Sequence, residues 1–246
     1  MSRYDFGAHR MFVEGPLAHG ASLACTPAQT NHLRTVLRLN VGDGILVFNG
    51  RDGEWRAEII AGSKRSAELG VRDQVRLQEA GPDVDYLFAP LKRARLDYLV
   101  EKATEMGVAR LQAVITRRTT PERVNLERMR ANVIGAAEQC GILRVPEVCG
   151  PERLEALLAR WDASRAMVFC DEDAEAVDPI AALTPLKSRP IAVLVGPEGG
   201  FDPTEREALL SLPRVVRLSL GPRILRADTA AVAALALVNA LAGDWR

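Results

Sequence analysis

Histidine and cysteine are scarce in this 246-residue chain, and each scarcity excludes something. The three histidines, His9, His19 and His32, all lie in the first 32 residues, so the rest of the chain lacks the commonest general base and metal ligand. The four cysteines, Cys25, Cys140, Cys149 and Cys170, form no C-x-x-C pair. Zinc-ligand spacing is therefore absent, and free thiols rather than a disulfide framework are expected. No metal is expected. Excess charge is missing too: 32 basic residues balance 32 acidic ones, so no global field draws in nucleic acid. Long apolar runs are absent. The longest, Thr229 to Ala242, is alanine-rich, interrupted by Asn239, and short of the roughly 20 residues that cross a bilayer. The opening "MSRYDFGAHRMFV" has no apolar core of signal-peptide length, so a cytoplasmic protein with no membrane partner is expected.

What is present is ample apolar material, 48% of residues, enough for one large or two modest domains. The charge is also unevenly spread. Lys92 to Arg130 holds ten basic and five acidic residues, whereas Glu138 to Leu210 holds seven basic and fourteen acidic. A basic segment among neutral and acidic ones suits a phosphate-contacting face.

The first 75 or so residues differ in style from the rest. In "TPAQTNHLRTVLRL", Thr26, Pro27 and Gln29 form a cap, a first-turn proline and a capping box for one short helix. Short β-rich runs follow, broken by Asn49-Gly50 and Asp52-Gly53, both hairpin-turn signals. A small β-barrel or sheet is expected here, and "EAGPDVD", Glu79 to Asp85, has the composition of a linker. From Tyr86 onward, apolar runs such as "YLFAPL", "RLQAVIT", "AMVFCDE", "IAVLVG" and "VVRLSL" alternate with amphipathic helices. That alternation implies a parallel sheet covered on both faces, with ligands beyond the carboxyl ends of its strands.

Two of the strand–helix turns stand out. In "VLVGPEGGFDPTE", Gly196, Gly199 and Gly200 permit a sharp turn and close approach to a ligand. Asp202, Pro203 and Glu205 then occupy the following helix N-terminus with protein carboxylates. Glu198 and Asp202 would repel phosphate, and neither a Walker lysine nor G-x-G-x-x-G is present, which argues against P-loop and Rossmann readings. The second turn, "LSLGPRILRADTA", carries Gly221, Arg223 and Arg226, with Asp228 read as the cap of the helix that follows. Taken singly, these are two ordinary turns whose arginines pair with Glu198 or Asp228.

Together, "GPEGGF" and, about twenty residues on, "LGPRILRADTA" resemble the paired cofactor loops of the SPOUT class of S-adenosylmethionine-dependent RNA methyltransferases. In that class the carboxyl end of the chain threads through a loop to make a trefoil knot. "KRARLDYLVEKATEMGV" is similar to the helix that opens the methyltransferase domain of the RsmE family, the 16S ribosomal RNA uridine-N3 methyltransferases. "AAEQCGILRVPEV" is similar to that family's glutamate–glutamine segment, and "HLRTVLRLNVGDGILVFNGRDGEW" to the start of its PUA-like RNA-binding barrel. The resemblance covers nearly the whole chain. It implies an α/β fold, with a smaller PUA-like β-barrel domain over residues 1–78 and a SPOUT-type trefoil-knotted parallel-sheet domain over residues 79–246.

The resemblance also implies S-adenosylmethionine as cofactor, 16S ribosomal RNA of the small ribosomal subunit as substrate, and a homodimer. Cofactor contacts are carried over to Leu194, Gly196, Pro197, Glu198, Gly199 and Gly200 in the first loop, and to Leu218, Leu220, Gly221, Ile224, Leu225 and Thr229 in the second. RNA contacts are carried over to Arg34, Arg38, Lys92, Arg93, Glu138, Gln139 and Arg144. Methylating uracil N3 requires loss of its proton and tolerance of charge on O2 and O4. Arg223 and Arg226 are placed to stabilise that anion, with Glu198 orienting one of them or touching the methionine moiety. The chain departs from the family at Ile142, where many members have arginine, at Asp228, where they have glutamate, and in "TRRTTPERVN". Two other readings are a related knotted enzyme acting on another RNA site or a ribose 2′-hydroxyl, and a non-catalytic RNA-binding protein. The PUA-like domain and the glutamate–glutamine segment argue against the first, and the intact glycine and arginine loops against the second.

Overall fold

A computed structural model describes residues 7–63, 65–120, 123–174 and 178–245. The chain packs as two units, one of residues up to Ala80 together with Ala137–Val145, the other of Gly81–Ala136 and Pro146 onward.

The first unit is a five-stranded sheet ordered β1-β3-β4-β5-β2, with β1 (Arg10–Phe12), β2 (Ser22–Ala24), β3 (Gly44–Phe48), β4 (Glu54–Gly62) and β5 (Ala67–Arg76). Only β1 and β3 run parallel. The hairpin turn between β3 and β4 forms where Asn49-Gly50 and Asp52-Gly53 place it. Asn49 Oδ1 accepts from the backbone N–H groups of Arg51 and Asp52, while Gly50 and Gly53 take the positive φ values that side chains disfavour. Helix α1 (Pro27–Asn31) has the full Thr26–Gln29 capping box and passes into a π-helical turn, His32–Val36. Leu33, Val47, Ile59, Leu69 and Val71 form the buried centre. Glu54 lies between two guanidiniums, 2.8 Å from Arg10 Nε and 2.9 Å from Arg76 Nε; Arg10 and Glu54 are 3% and 2% exposed.

Ala137–Val145 completes this unit. Ala137 and Leu143 pack with Phe48, Glu138 accepts the backbone N–H of Phe12 at 2.8 Å, and Arg76 Nη2 donates to the Gly141 carbonyl at 2.7 Å.

The second unit is a six-stranded, all-parallel sheet ordered β11-β9-β10-β6-β7-β8. Its strands are β6 (Val84–Phe88), β7 (Arg110–Ile115), β8 (Glu147–Arg153), β9 (Ala166–Cys170), β10 (Ile191–Val195) and β11 (Val215–Leu218). Helices α2 (Arg93–Glu105), α3 (Leu126–Cys140), α4 (Leu154–Ala159), α5 (Pro179–Leu183), α6 (Pro203–Leu210) and α7 (Ala227–Leu241) connect them. Every residue of β6 and β10 is buried, the signature of central strands in a covered parallel sheet. Leu87, Val114, Met167, Phe169, Leu194 and Phe201 form the core on one side.

Two sequence expectations need correction. The stretch Glu79 to Asp85, read as a linker, ends inside β6, where Val84 and Asp85 are buried strand residues. Helix α7 begins at Ala227, with Arg226 at the N-cap position and no side-chain cap, so Asp228 sits inside the first turn instead of capping it. Its carboxylate has a stronger partner, described below. Strand β8 and helix α4 do not stand out in the sequence, because β8 is an edge strand with no buried residue and with Gly150 and Pro151 in its middle. Among the described residues no helix is long and apolar enough to cross a membrane.

Candidate active site

Because the sheet is parallel, the turns after β6, β7, β9, β10 and β11 all leave the same edge. That end of the sheet collects both glycine turns, with Glu198, Arg223 and Arg226.

The turn after β10 is shaped by what surrounds its glycines. A Cβ at Gly196 would lie 2.4 Å from the ring of Phe201, which is buried and packs edge-on against Phe169 with centroids 5.0 Å apart. Gly200 has φ of +67°, and its N–H closes the turn on the Pro197 carbonyl at 2.9 Å. Gly196→Ala is expected to destabilise the protein by about 1–3 kcal/mol, because the Phe201 ring has no free side to move to. The urea midpoint measures this, and a variant as stable as its parent would show that the ring yields.

After the turn, Asp202 and Glu205 form the capping box of α6 in full. The same carboxylates hold the loop after β7. Glu205 accepts the Arg117 backbone N–H at 2.8 Å, Asp202 pairs with Arg117 Nη1 at 3.0 Å, and Arg118 Nη1 donates to the Gly199 carbonyl at 2.8 Å. The α6 N-terminus is thus taken by protein groups and offers no site for phosphate.

The turn after β11 is looser. Gly221 has φ of +97°, Arg223 and Arg226 are exposed, and Ile224 is 97% exposed. Among the described residues neither arginine side chain has a hydrogen-bond or ion-pair partner, so the pairing with Glu198 or Asp228 read from the sequence is corrected. Those carboxylates belong to Arg95, in the first turn of α2. Arg95 Nη1 donates to Glu198 Oε1 at 2.5 Å, Nε to Asp228 Oδ2 at 3.1 Å, and Nη2 to Asp228 Oδ1 at 3.4 Å. The Arg95 hydrogen bonds hold the Asp228 carboxyl below the usual carboxylate range, and Asp228 in turn raises the guanidinium.

Leu194 and Leu218 are buried, so each presents only backbone to a ligand. Leu220 and Gly221 line a pocket of about 840 Å³ with Asp178, Pro179, Trp245 and the small residues of α7; Gly196 to Gly200 lie outside it. Pro197 and Leu225 are half-buried, and Thr229 is exposed one residue past Asp228. Of the residues read as RNA contacts, Arg38, Lys92, Arg93 and Gln139 are exposed. Arg38 holds an unusual φ of +57°. Arg34 bonds the Leu39 carbonyl, and Arg144 is half-buried. Glu138 serves the fold through Phe12, and burial pushes its carboxyl up.

Glycines that only a bare backbone satisfies, carboxylates where a phosphate would lie, and no lysine suit a cationic ligand read by backbone groups. Among the described residues no cluster of histidine, cysteine, aspartate and glutamate is placed to hold a metal.

Comparison with known proteins points the same way. A family model described as an RNA methyltransferase domain matches residues 78–239, and one described as an RNA methyltransferase PUA domain matches residues 26–72. The chain is 31% identical to ribosomal RNA small subunit methyltransferase E of Rickettsia conorii, over 95% of this chain and 96% of that protein. It is also 31% identical to the protein of that name from Synechocystis, over 95% and 78% respectively. The crystal structure of ribosomal RNA small subunit methyltransferase E from Neisseria gonorrhoeae, bound to S-adenosyl methionine, superposes with a TM-score of 0.88. That alignment has 26% identity and covers 97% of this chain and all of the other, 100%.

Proposed function

The chain belongs to the ribosomal RNA small subunit methyltransferase E family, and we propose that it methylates N3 of a uridine in 16S ribosomal RNA, with S-adenosylmethionine as donor. The observation that carries this reading is the pair of turns at one sheet edge: glycines and carboxylates with no lysine in the first, two unpartnered arginines in the second. The relative solved with S-adenosyl methionine supports it.

Backbone N–H and C=O groups of Gly196 to Gly200 and of Leu218 to Gly221 would hold the adenine, with Leu194, Pro197, Ile224, Leu225 and Thr229 around them. S-adenosylmethionine, when bound, supplies an electrophilic methyl group on a sulfonium. Arg223 and Arg226 would donate to uracil O2 and O4 as N3 gives up its proton to solvent water, so the anion forms against their positive charge. Glu198 shapes the turn through Arg95 instead of orienting Arg223 or Arg226. The protein is expected to bind S-adenosylmethionine without added metal and to ignore ATP. Calorimetry showing the reverse preference would overturn the assignment.

The unit that residues 1–78 begin and Ala137–Val145 completes is proposed as the PUA-like RNA-docking domain, and Arg38, Lys92, Arg93 and Gln139 as phosphate or base contacts. The trefoil knot, the small ribosomal subunit as partner, and a cytoplasmic location belong to the same proposal. So does a homodimer. Helix α7 leaves Ala233, Ala236 and Leu237 half-exposed beside Trp245, an apolar face for a second copy to cover. Sedimentation at micromolar concentration should give a dimer; a monomer whose activity is independent of concentration refutes it.

A further inference from the structure

We propose that Arg95 is a positioning residue that ties the two cofactor loops into one site, an inference that rests on the cofactor reading above. The loops come from separate strand–helix turns, Gly196–Asp202 after β10 and Ser219–Arg226 after β11, with β9 between those strands. Among the described residues no backbone hydrogen bond runs from one loop to the other. Arg95 is the side chain that bonds to both sides: one arm to Glu198 in the first turn, a fork to Asp228 just past the second.

Three further observations fit this role. First, the mount is rigid. Leu96, Leu99, Val100 and Ala103 of the same helix are buried, so the Arg95 backbone is fixed by core packing rather than by loop conformation. Second, the location is electrostatically adverse. A cation in the first turn of a helix opposes the macrodipole, and the first turn of α2 contains no acidic residue to offset it. The compensation comes from Glu198 and Asp228, 103 and 133 residues away in sequence. Third, the chemistry is specific to arginine. A planar guanidinium holds two carboxylates at fixed angles, whereas an ammonium presents a single point charge. A ligand gripped by both loops loses affinity when either shifts by an ångström or so.

The test is calorimetric affinity for S-adenosylmethionine, with melting temperature and amide hydrogen exchange, on the full-length protein. Arg95→Ala should weaken binding by at least about tenfold and raise KM for the cofactor, leaving KM for RNA unchanged. Arg95 is 31% exposed and its partners Glu198 and Asp228 are 60% and 17% exposed, so losing both ion pairs should lower the melting temperature by no more than about 8 °C. Arg95→Lys should recover part of the affinity. In the unliganded protein, exchange should accelerate in both 196–200 and 221–228 for Arg95→Ala, but only in 196–200 for Glu198→Gln. The triple variant Arg95→Met, Glu198→Gln, Asp228→Asn removes the repulsion between the two carboxylates without restoring the tie. It should stay weak; recovered affinity would overturn the proposal, as would Arg95→Ala binding within twofold of wild type. A wild-type protein that does not bind the cofactor refutes the cofactor reading instead, and exchange in the unliganded protein still decides the role of Arg95.

Discussion

Replacing Arg223 or Arg226 with alanine is expected to slow single-turnover methyl transfer by about 10²–10³-fold for at least one of the two, with cofactor and RNA affinity nearly unchanged. A structural role is disfavoured because both side chains are exposed and unpartnered among the described residues, while Glu198 and Asp228 are engaged by Arg95. A phosphate-contacting arginine would behave differently. Its loss would weaken RNA binding and lower the salt dependence by about one unit of slope, with the chemical step intact. Rates within tenfold of wild type for both variants would remove these residues from the chemistry.

Glu54→Gln is expected to cost the first unit about 3–5 kcal/mol, the usual penalty for withdrawing one member of a buried ion-pair network. The glutamate is 2% exposed between Arg10 and Arg76, and the amide keeps its shape but not its charge, so Arg10 stays buried without that anion. The readout is the urea transition followed at Trp55, which packs against the core of this unit. RNA binding should fall with the loss of fold, while affinity for S-adenosylmethionine, whose proposed contacts lie in the other unit, should persist. A loss below about 1 kcal/mol would mean that the network is relieved by water or by other groups.

The sheet was legible because β6, β9 and β10 are short apolar runs that only a covered parallel strand explains, and both capping boxes could be read letter by letter. The glycine turns were legible for the same local reason. Arg95 was not. On an amphipathic helix a charged residue reads as solvated surface, and nothing local marks carboxylates more than 100 residues distant as its partners. The place of Ala137–Val145 was equally hidden, since the helical period of α3 runs through Ala137 without a break. A boundary drawn at residue 78 would therefore strip Leu143 and Ala137 of Phe48.

That segment also sets an order in time. The ribosome makes the five strands of the first unit long before it makes the residues that cover Phe48 and accept the Phe12 N–H. Roughly 65 residues separate Ala80 from Val145, about 3–13 s of synthesis at 5–20 residues per second. Through that interval Phe48, on β3, has the Phe12 ring beside it but not Ala137 and Leu143, and the β1 edge carries an unanswered donor where a stray strand can add. The first unit to be made is thus unable to finish first, because its packing is incomplete until the end of α3 has emerged.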